Sequence, residues 1–294
     1  MNPVRTLMFL FVALAALAPQ ANAANKPVAT ITGQRDGKLL FVQVTVNGAG
    51  PFWFCVDTGA SHTVIDPYVV QQTGLKKVGA GTTTGTGTGA VQIDRTEPAT
   101  VKLGKIEVKV AEPWVIDLSG VPIPKWTHGL VGFEFFQAYV VEMDQEHARL
   151  RFFDPATYQA PHAVPAVPLI VEDRRLFVTA TLEANERDKA ERKLRIDTGS
   201  EESVADELVK KAAEVRTGTL GQGLGEDYQG VSGLLKAVHL GPFTWTHVWG
   251  PEAPRPAIGM EIFRRFVATF DAPHGHLYLK PNRHIGEPIP EPPR

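Results

Sequence analysis

An internal duplication limits the possible folds of this 294-residue chain more than any other feature of its sequence. Residues 40–46 and 176–182 are both apolar, β-branched runs of the kind that favours strands. Each is followed by a turn and a second apolar run, which ends in Asp-Thr-Gly at residues 57–59 and at residues 197–199. The sequence therefore predicts two related β units in one chain.

A third block extends the duplication. Residues 132–136 match residues 259–263 without a gap. At the same distance after each triplet, Asp66 matches Asp206. After the third block, four more pairs match at a constant spacing: Val140 with Val267, Asp144 with Asp271, His147 with His274 and Leu150 with Leu277. Because chance does not produce three matching blocks in the same order, we predict two copies of one unit, at residues 24–154 and 169–281.

Proline marks the boundaries of these units. Four prolines punctuate residues 155–168, which we predict to be a linker: Pro155, Pro161, Pro165 and Pro168. The proline-rich tail, residues 282–294, is expected to be extended and poorly ordered.

Within each unit the sequence favours strands and glycine-rich turns. Short helices are predicted at residues 133–136 and 260–266, each followed by a strand, at 140–143 and at 267–270. The fold class is therefore mostly β, with low helix content.

The first 23 residues have the pattern of a signal peptide. Arg5 supplies a positive charge, residues 7–17 form an apolar run too short to span a bilayer, and Ala21-Asn22-Ala23 resembles a cleavage site. We expect an exported protein, periplasmic or extracellular, with no membrane anchor after signal cleavage.

Composition excludes some partners and cofactors. With 43% hydrophobic and 21% charged residues and a net charge of −2, the chain is typical of a globular protein with no electrostatic reason to bind nucleic acid. The nine histidines form no metal-binding motif, so we expect no metal and no cofactor. His147 and His274, and likewise Glu134 and Glu261, are interpreted as inherited structural residues.

Cys55 is the single cysteine, so an intramolecular disulfide is impossible. It lies in the apolar run 52–56, where a small buried residue is a better interpretation than a catalytic thiol.

The paired Asp-Thr-Gly segments point to chemistry. If the two units face each other, Asp57 and Asp197 meet around one water molecule and share a proton, because two like charges this close cannot both ionise. The ionised carboxylate can take a proton from the water, and the protonated one can hydrogen-bond a carbonyl oxygen. The threonine side chains can form hydrogen bonds with backbone groups across the pseudo-symmetry axis, and these bonds would hold both loops rigid.

These segments resemble those of the retropepsin-like and pepsin-like aspartic peptidases. The matching residues are Asp57-Thr58-Gly59-Ala60 and Asp197-Thr198-Gly199-Ser200, with the later segments 130–132 and 257–259. The resemblance implies two tandem retropepsin-like acid-protease lobes with a catalytic cleft between them. It implies an aspartic endopeptidase that takes a peptide or protein substrate, with Asp57 and Asp197 as the catalytic dyad and their neighbours as loop support. Each ψ-shaped catalytic loop should pack on its later segment.

The resemblance also implies a hairpin flap in each lobe. The candidates are the glycine-rich segments 79–89 and 218–225, with Gly85, Gly87, Gly89, Gly221 and Gly223 as flap residues. Neither has the flap tyrosine of pepsin-like members. Since one chain carries both aspartates, a monomer should suffice for activity.

Other functions fit less well. Residues 85–89 could suggest a phosphate-binding loop, but a strand-like run follows and the required lysine is missing. A glycosidase also needs two carboxylates, but it does not need each of them within an Asp-Thr-Gly segment. The serious alternative is a non-catalytic peptide-binding module on the same fold.

The two catalytic loops differ at one position. Ser200 could donate a hydrogen bond to Asp197, whereas Ala60 offers no donor. The sequence therefore predicts that the shared proton lies mostly on Asp57, with Asp197 as the base.

Overall fold

The computed structural model describes residues 26–221 and 223–291. The predicted signal peptide, residues 1–23, lies outside them. Strands make up 51% and helices 9% of the chain, so the expected mostly β fold is confirmed. Within the described ranges, none of the helices combines the length and apolar character needed to cross a bilayer.

The first half runs to the end of β13. In chain order its elements are β1 (Ala29–Thr32), β2 (Gln34–Asp36), β3 (Leu39–Val46), β4 (Ala49–Val56), β5 (Val64–Ile65), α1 (Pro67–Thr73), β6 (Lys77–Thr83), β7 (Val91–Thr96), β8 (Ala99–Leu103), β9 (Ile106–Val110), β10 (Trp114–Val115), β11 (Thr127–Val131), α2 (Phe133–Ala138), β12 (Val140–Asp144) and β13 (Arg149–Phe153).

The second half has a similar order of elements with fewer strands, several of them longer. Its elements are β14 (Ala166–Pro168), β15 (Ile170–Glu172), β16 (Arg175–Glu183), β17 (Lys189–Asp197), β18 (Val204–Ala205), β19 (Val215–Leu220), β20 (Tyr228–Leu240), β21 (Phe243–Pro251), β22 (Ala257–Gly259), α3 (Met260–Phe263), β23 (Phe266–Asp271) and β24 (His276–Pro281), with 3₁₀ turns at Glu207–Lys211 and Ala272–His274.

Each half has a sheet of its own. A ten-stranded sheet joins β2 to β11, and an eight-stranded sheet joins β15 to β22. In both, the strand that leads to Asp-Thr-Gly pairs in parallel with a later strand: Val56 lies beside Val131, and Asp197 beside Gly259. That later strand also pairs with a short antiparallel strand, β5 or β18. The crossed arrangement that the resemblance implied is therefore present in both halves.

A third sheet is shared between the halves. Its six strands run β1-β13-β12-β23-β24-β14, so each half contributes three. The halves meet where β12 pairs antiparallel with β23, placing Val141 opposite Phe270 and Asp144 opposite Val267. Since β14 comes from residues 155–168, the predicted linker contains one strand of this sheet.

Buried apolar side chains connect the three sheets. Phe41, Phe54 and Phe152 are fully buried, and the Phe136 and Phe270 rings of the two halves pack edge to face at 5.6 Å. Burial of this apolar surface is the main stabilising contribution, and it is continuous across the two halves.

Several repeated residues have structural roles. The Asp66 carboxylate accepts from Val69 N at the start of α1, and Asp206 accepts from Leu208 N at the start of a 3₁₀ turn. Both aspartates are therefore helix caps. His147 contacts Asp144 in the same way that His274 contacts Asp271, so both histidines stabilise turns.

The third block differs from its prediction in one detail. The second short helix, predicted at residues 260–266, ends at Phe263, and Phe266 already belongs to β23.

The tail also differs from the expectation. The fully buried Arg265 guanidinium donates to the carbonyl oxygens of His284 and Pro288, and Ile289 is buried. A charged group without water needs these acceptors, so residues 282–291 pack against the body of the protein.

Candidate active site

The two Asp-Thr-Gly loops face each other and are in direct contact. Asp57 follows β4, and Asp197 is the last residue of β17. A side chain on Gly199 would lie 2.5 Å from the carboxylate carbon of Asp57, and one on Gly59 would lie 2.7 Å from that of Asp197. Each carboxylate therefore rests against the glycine of the opposite loop, and only glycine leaves room for it.

The threonines bind the loops to each other. Thr58 Oγ1 donates to Ile196 O at 2.8 Å and accepts from Thr198 N at 3.1 Å. In the reverse direction Thr198 Oγ1 donates to Val56 O at 2.9 Å and accepts from Thr58 N at 3.0 Å. Both side chains are buried, so four hydrogen bonds, shielded from water, fix the relative position of the two carboxylates.

The two carboxylates interact electrostatically. Burial and the negative charge of Asp197 raise the pKa of Asp57 to about 7, although the Gly59 amide, which donates to Asp57 Oδ1 at 2.8 Å, and the charge of Arg195 lower it. Below about pH 7, Asp57 therefore carries a proton. This is the electrostatics of two like charges that share one site.

An arginine that sequence reasoning missed contacts the dyad. Arg195 lies two residues before Asp197 on β17, so both side chains point to the same face of the strand. Its Nη2 lies 2.7 Å from Asp197 Oδ2, and the two side chains are only 13% and 8% exposed. This contact is a charge-assisted hydrogen bond that places a positive charge against the Asp197 carboxylate. The available signal was a basic residue two positions before the aspartate, at the position that Cys55 occupies in the first half.

This contact corrects the proposed role of Ser200. The Ser200 hydroxyl accepts from Glu202 N at 3.3 Å, and the side-chain donor to Asp197 is Arg195. Ala60 and Ser200 still sit in equivalent places, because their amides close the same turns onto the carbonyl oxygens of Asp57 and Asp197.

Cys55 lies on β4, two residues before Asp57, and is buried. Burial, followed by the negative charges of Asp57 and Asp197, raises the pKa of its thiol. A thiol that stays protonated is a poor nucleophile. The environment therefore favours the interpretation of Cys55 as a buried packing residue.

The flap candidates lie at the tips of two hairpins. Gly85, Gly87 and Gly89 are in the turn between β6 and β7, and Gly221 and Gly223 are in the turn between β19 and β20. The tips pair with each other: Thr88 N donates to Glu226 O at 2.8 Å, and Glu226 N donates to Thr88 O at 2.9 Å.

Two further contacts join the hairpin tips. Gly87 N donates to Leu224 O at 3.0 Å. The Arg255 guanidinium, from the loop before β22, donates to Gly85 O. Backbone hydrogen bonds thus connect the two halves at a second place, outside the two Asp-Thr-Gly loops.

A separate cavity of about 530 Å³ does not include either aspartate. His62 lines it and stacks on Trp114, with 4.0 Å between ring centroids. Burial and the charge of Arg174 lower the pKa of His62 to about 4, so the ring is neutral at physiological pH. Within residues 26–221 and 223–291, no group of three or more His, Cys, Asp or Glu side chains is arranged to hold a metal ion.

Part of the chain matches a known protein family. A family model described as aspartyl protease matches residues 42–135. The match supports an aspartyl protease family for the chain. The matched segment includes Asp57 and Gly132 and ends before the second half, which carries Asp197. No curated protein matched the chain.

Proposed function

We propose that the protein is an aspartic endopeptidase whose two halves are tandem lobes, with a peptide-binding cleft between them. The observation that carries this proposal is the reciprocal contact of the two Asp-Thr-Gly loops, each carboxylate against the opposite glycine and each threonine bonded to the opposite backbone. Two carboxylates held this rigidly are suited to activate one water molecule between them.

The charges assign different roles to the two aspartates. Asp197, paired with Arg195, is the anion that takes a proton from the attacking water. Asp57, with its pKa raised to about 7, is protonated and donates a hydrogen bond to the peptide carbonyl oxygen. Water oxygen bonds to the carbonyl carbon, the C–N bond of the tetrahedral intermediate breaks, and the amine leaves with the proton that Asp197 accepted.

The paired hairpin tips support a role in substrate binding. An extended peptide in the cleft would lie between the dyad and the tips and pair its backbone with theirs. The contacts between the tips must open to admit it. We also propose that the protein is exported and that the monomer is active, since both aspartates lie in one chain.

The test is cleavage of a diverse peptide library by purified residues 24–294, analysed by mass spectrometry with and without a statine-type inhibitor. Asp57→Asn and Asp197→Asn should each lower turnover by at least about 10²-fold, because each removes a proton-transfer group. Asp36→Asn, a change at an exposed aspartate on β2, is the matched control.

Near-wild-type cleavage by either dyad variant would overturn the mechanism. Inhibitor-sensitive peptide binding without cleavage at any pH would instead identify a binding module. Activity that falls steeply on dilution would contradict the monomer.

A further inference from the structure

Three arginines lie on or next to the strand that carries Asp197 and the two strands paired with it, and we call them the arginine cluster. Arg195 is on β17, Arg175 begins the neighbouring strand β16, and Arg255 lies just before β22. Both β16 and β22 pair with β17, one on each side. The cluster therefore lies directly beside the second catalytic loop.

The cluster has more positive charge than its surroundings neutralise. Burial and then the charge of Arg195 lower the pKa of both Arg175 and Arg255, which means that the guanidinium groups repel one another. The carboxylates that act on Arg175 are those of Asp173, an exposed residue, and Asp197. Below about pH 7 Asp57 is protonated, so the dyad supplies at most one negative charge against three positive ones.

Arg195 also has an unused donor. Its Nε is buried and has no hydrogen-bond partner, whereas its Nη2 is bonded to Asp197. A buried N–H of a charged group that lacks an acceptor is costly. A substrate oxygen that displaces the groups covering this atom as the site opens would satisfy it.

The first half has no equivalent cluster. By the internal repeat, the positions of Arg175, Arg195 and Arg255 correspond to Leu39, Cys55 and His128. Leu39 and Cys55 are buried, and His128 is engaged with Asp66. At these three pairs of described positions, the positive charge therefore lies on the side of the second half.

Arg255 extends the cluster toward the hairpin tips, since it donates to Gly85 O of the first half. A peptide held between the dyad and the tips would pass along the cluster. Charge of one sign in such a cleft attracts and orients the opposite charge.

We propose that the arginine cluster is a specificity subsite for a substrate carboxylate next to the scissile bond, on the side of the second half. The inference rests on the proposed peptidase function. The carboxylate belongs either to an Asp or Glu side chain or to the C-terminus of the peptide. Arginine suits both, because its planar donors match the two oxygens of a carboxylate.

The experiment compares matched peptides that carry Glu or Gln on either side of one cleavable bond. Wild-type protein should prefer a Glu peptide by on the order of tenfold or more in kcat/KM, the usual effect of a charge-assisted bond. A second pair of peptides ends one residue beyond the bond, one with a free and one with an amidated C-terminus. This pair identifies the source of the bound carboxylate. Preference for Glu in amidated peptides indicates the side chain, and preference for the free terminus alone indicates the terminal carboxylate.

Arg175→Gln should reduce the Glu-to-Gln ratio at least about threefold, mainly through KM, because one of three charges is lost. Lys102→Gln, which removes an exposed charge in the first half, should leave the ratio unchanged. The ratio is internally normalised, so partial misfolding of a variant does not mimic the effect.

Equal kcat/KM for all pairs would overturn the subsite and leave the peptidase function intact. If no peptide is cleaved, the peptidase function fails, and binding of labelled peptides to Asp57→Asn protein still tests the cluster. Tighter binding of the Glu peptide would support the subsite, and equal binding would overturn it.

Discussion

Arg174 of the second half donates to Glu134 of the first half, with 2.6 Å between Nη2 and Oε1. A reciprocal contact joins the halves in the other direction, in which Lys38 Nζ of the first half lies 3.0 Å from Glu261 Oε2 of the second. Each of these two glutamates is thus held by a cation from the other half. These residues stabilise the interface between the halves, and so are not only inherited features of a short helix.

The two glutamates should differ in their contribution to stability. Glu261 also pairs with Arg265, which is fully buried, so Glu261→Ala leaves a buried charge without its partner and should cost about 3–5 kcal/mol. Glu134 pairs with the partly exposed Arg174, and Glu134→Ala should cost about 1–3 kcal/mol. Urea unfolding measures both, and equal losses would contradict this account.

Activity should decline as pH rises through about 7. The mechanism needs a protonated Asp57, whose pKa is raised to about 7. Arg195 is among the groups that lower this pKa, so Arg195→Met should move the basic limb of the pH–kcat/KM profile to higher pH. Lys189→Met, an exposed change on the same strand, is the control. A shift of the basic limb to lower pH would show that Arg195 does not act on Asp57 in this way.

Asp57→Asn should stabilise the fold, and more so as pH rises. Folded Asp57 keeps its proton up to about pH 7, whereas the unfolded carboxyl has an ordinary pKa near 3.8, so wild-type protein loses stability between these values. Asn at this position removes that loss. Thermal melts at several pH values from 4 to 8 should show a growing difference in Tm up to about pH 7. A difference independent of pH would argue against the raised pKa.

Cross-linking the hairpin tips should block activity reversibly. Thr88 and Glu226 exchange two backbone hydrogen bonds, and such pairs have Cα atoms about 5.5 Å apart, a distance that a disulfide can span. Thr88→Cys/Glu226→Cys protein should therefore be inactive when oxidised and recover with reductant. Each single variant is the control, since Cys55 is buried. Full activity of the oxidised double variant would show that the tips need not separate.

The sequence predicted what depends on local pattern and repetition. The Asp-Thr-Gly loops, the segments beside them and the short helices follow from residue types at fixed spacing. The structure brings Thr58 and Thr198 together as the symmetry of two such loops requires.

Contacts set by tertiary packing could not be predicted in this way. Arg195 is visible in the sequence as a basic residue two positions before Asp197, but its bond to Asp197 depends on the burial of both side chains. The position of Ser200 made it a reasonable candidate donor to Asp197, yet its hydroxyl accepts a hydrogen bond from the backbone N–H of Glu202. The packed tail depends on the single buried Arg265, which has no periodic signature.

The sheet shared by the two halves also has a consequence for biosynthesis. Its centre is the pairing of β12 with β23, and β24 and β14 complete its far side. Because the ribosome makes the chain from its N-terminus, Asp57 is synthesised long before β23 and β24 can close this sheet. The order of the strands along the chain thus delays the pairing of Asp57 with Asp197 until the second half has been made, and a nascent chain passes through synthesis without the proposed catalytic centre.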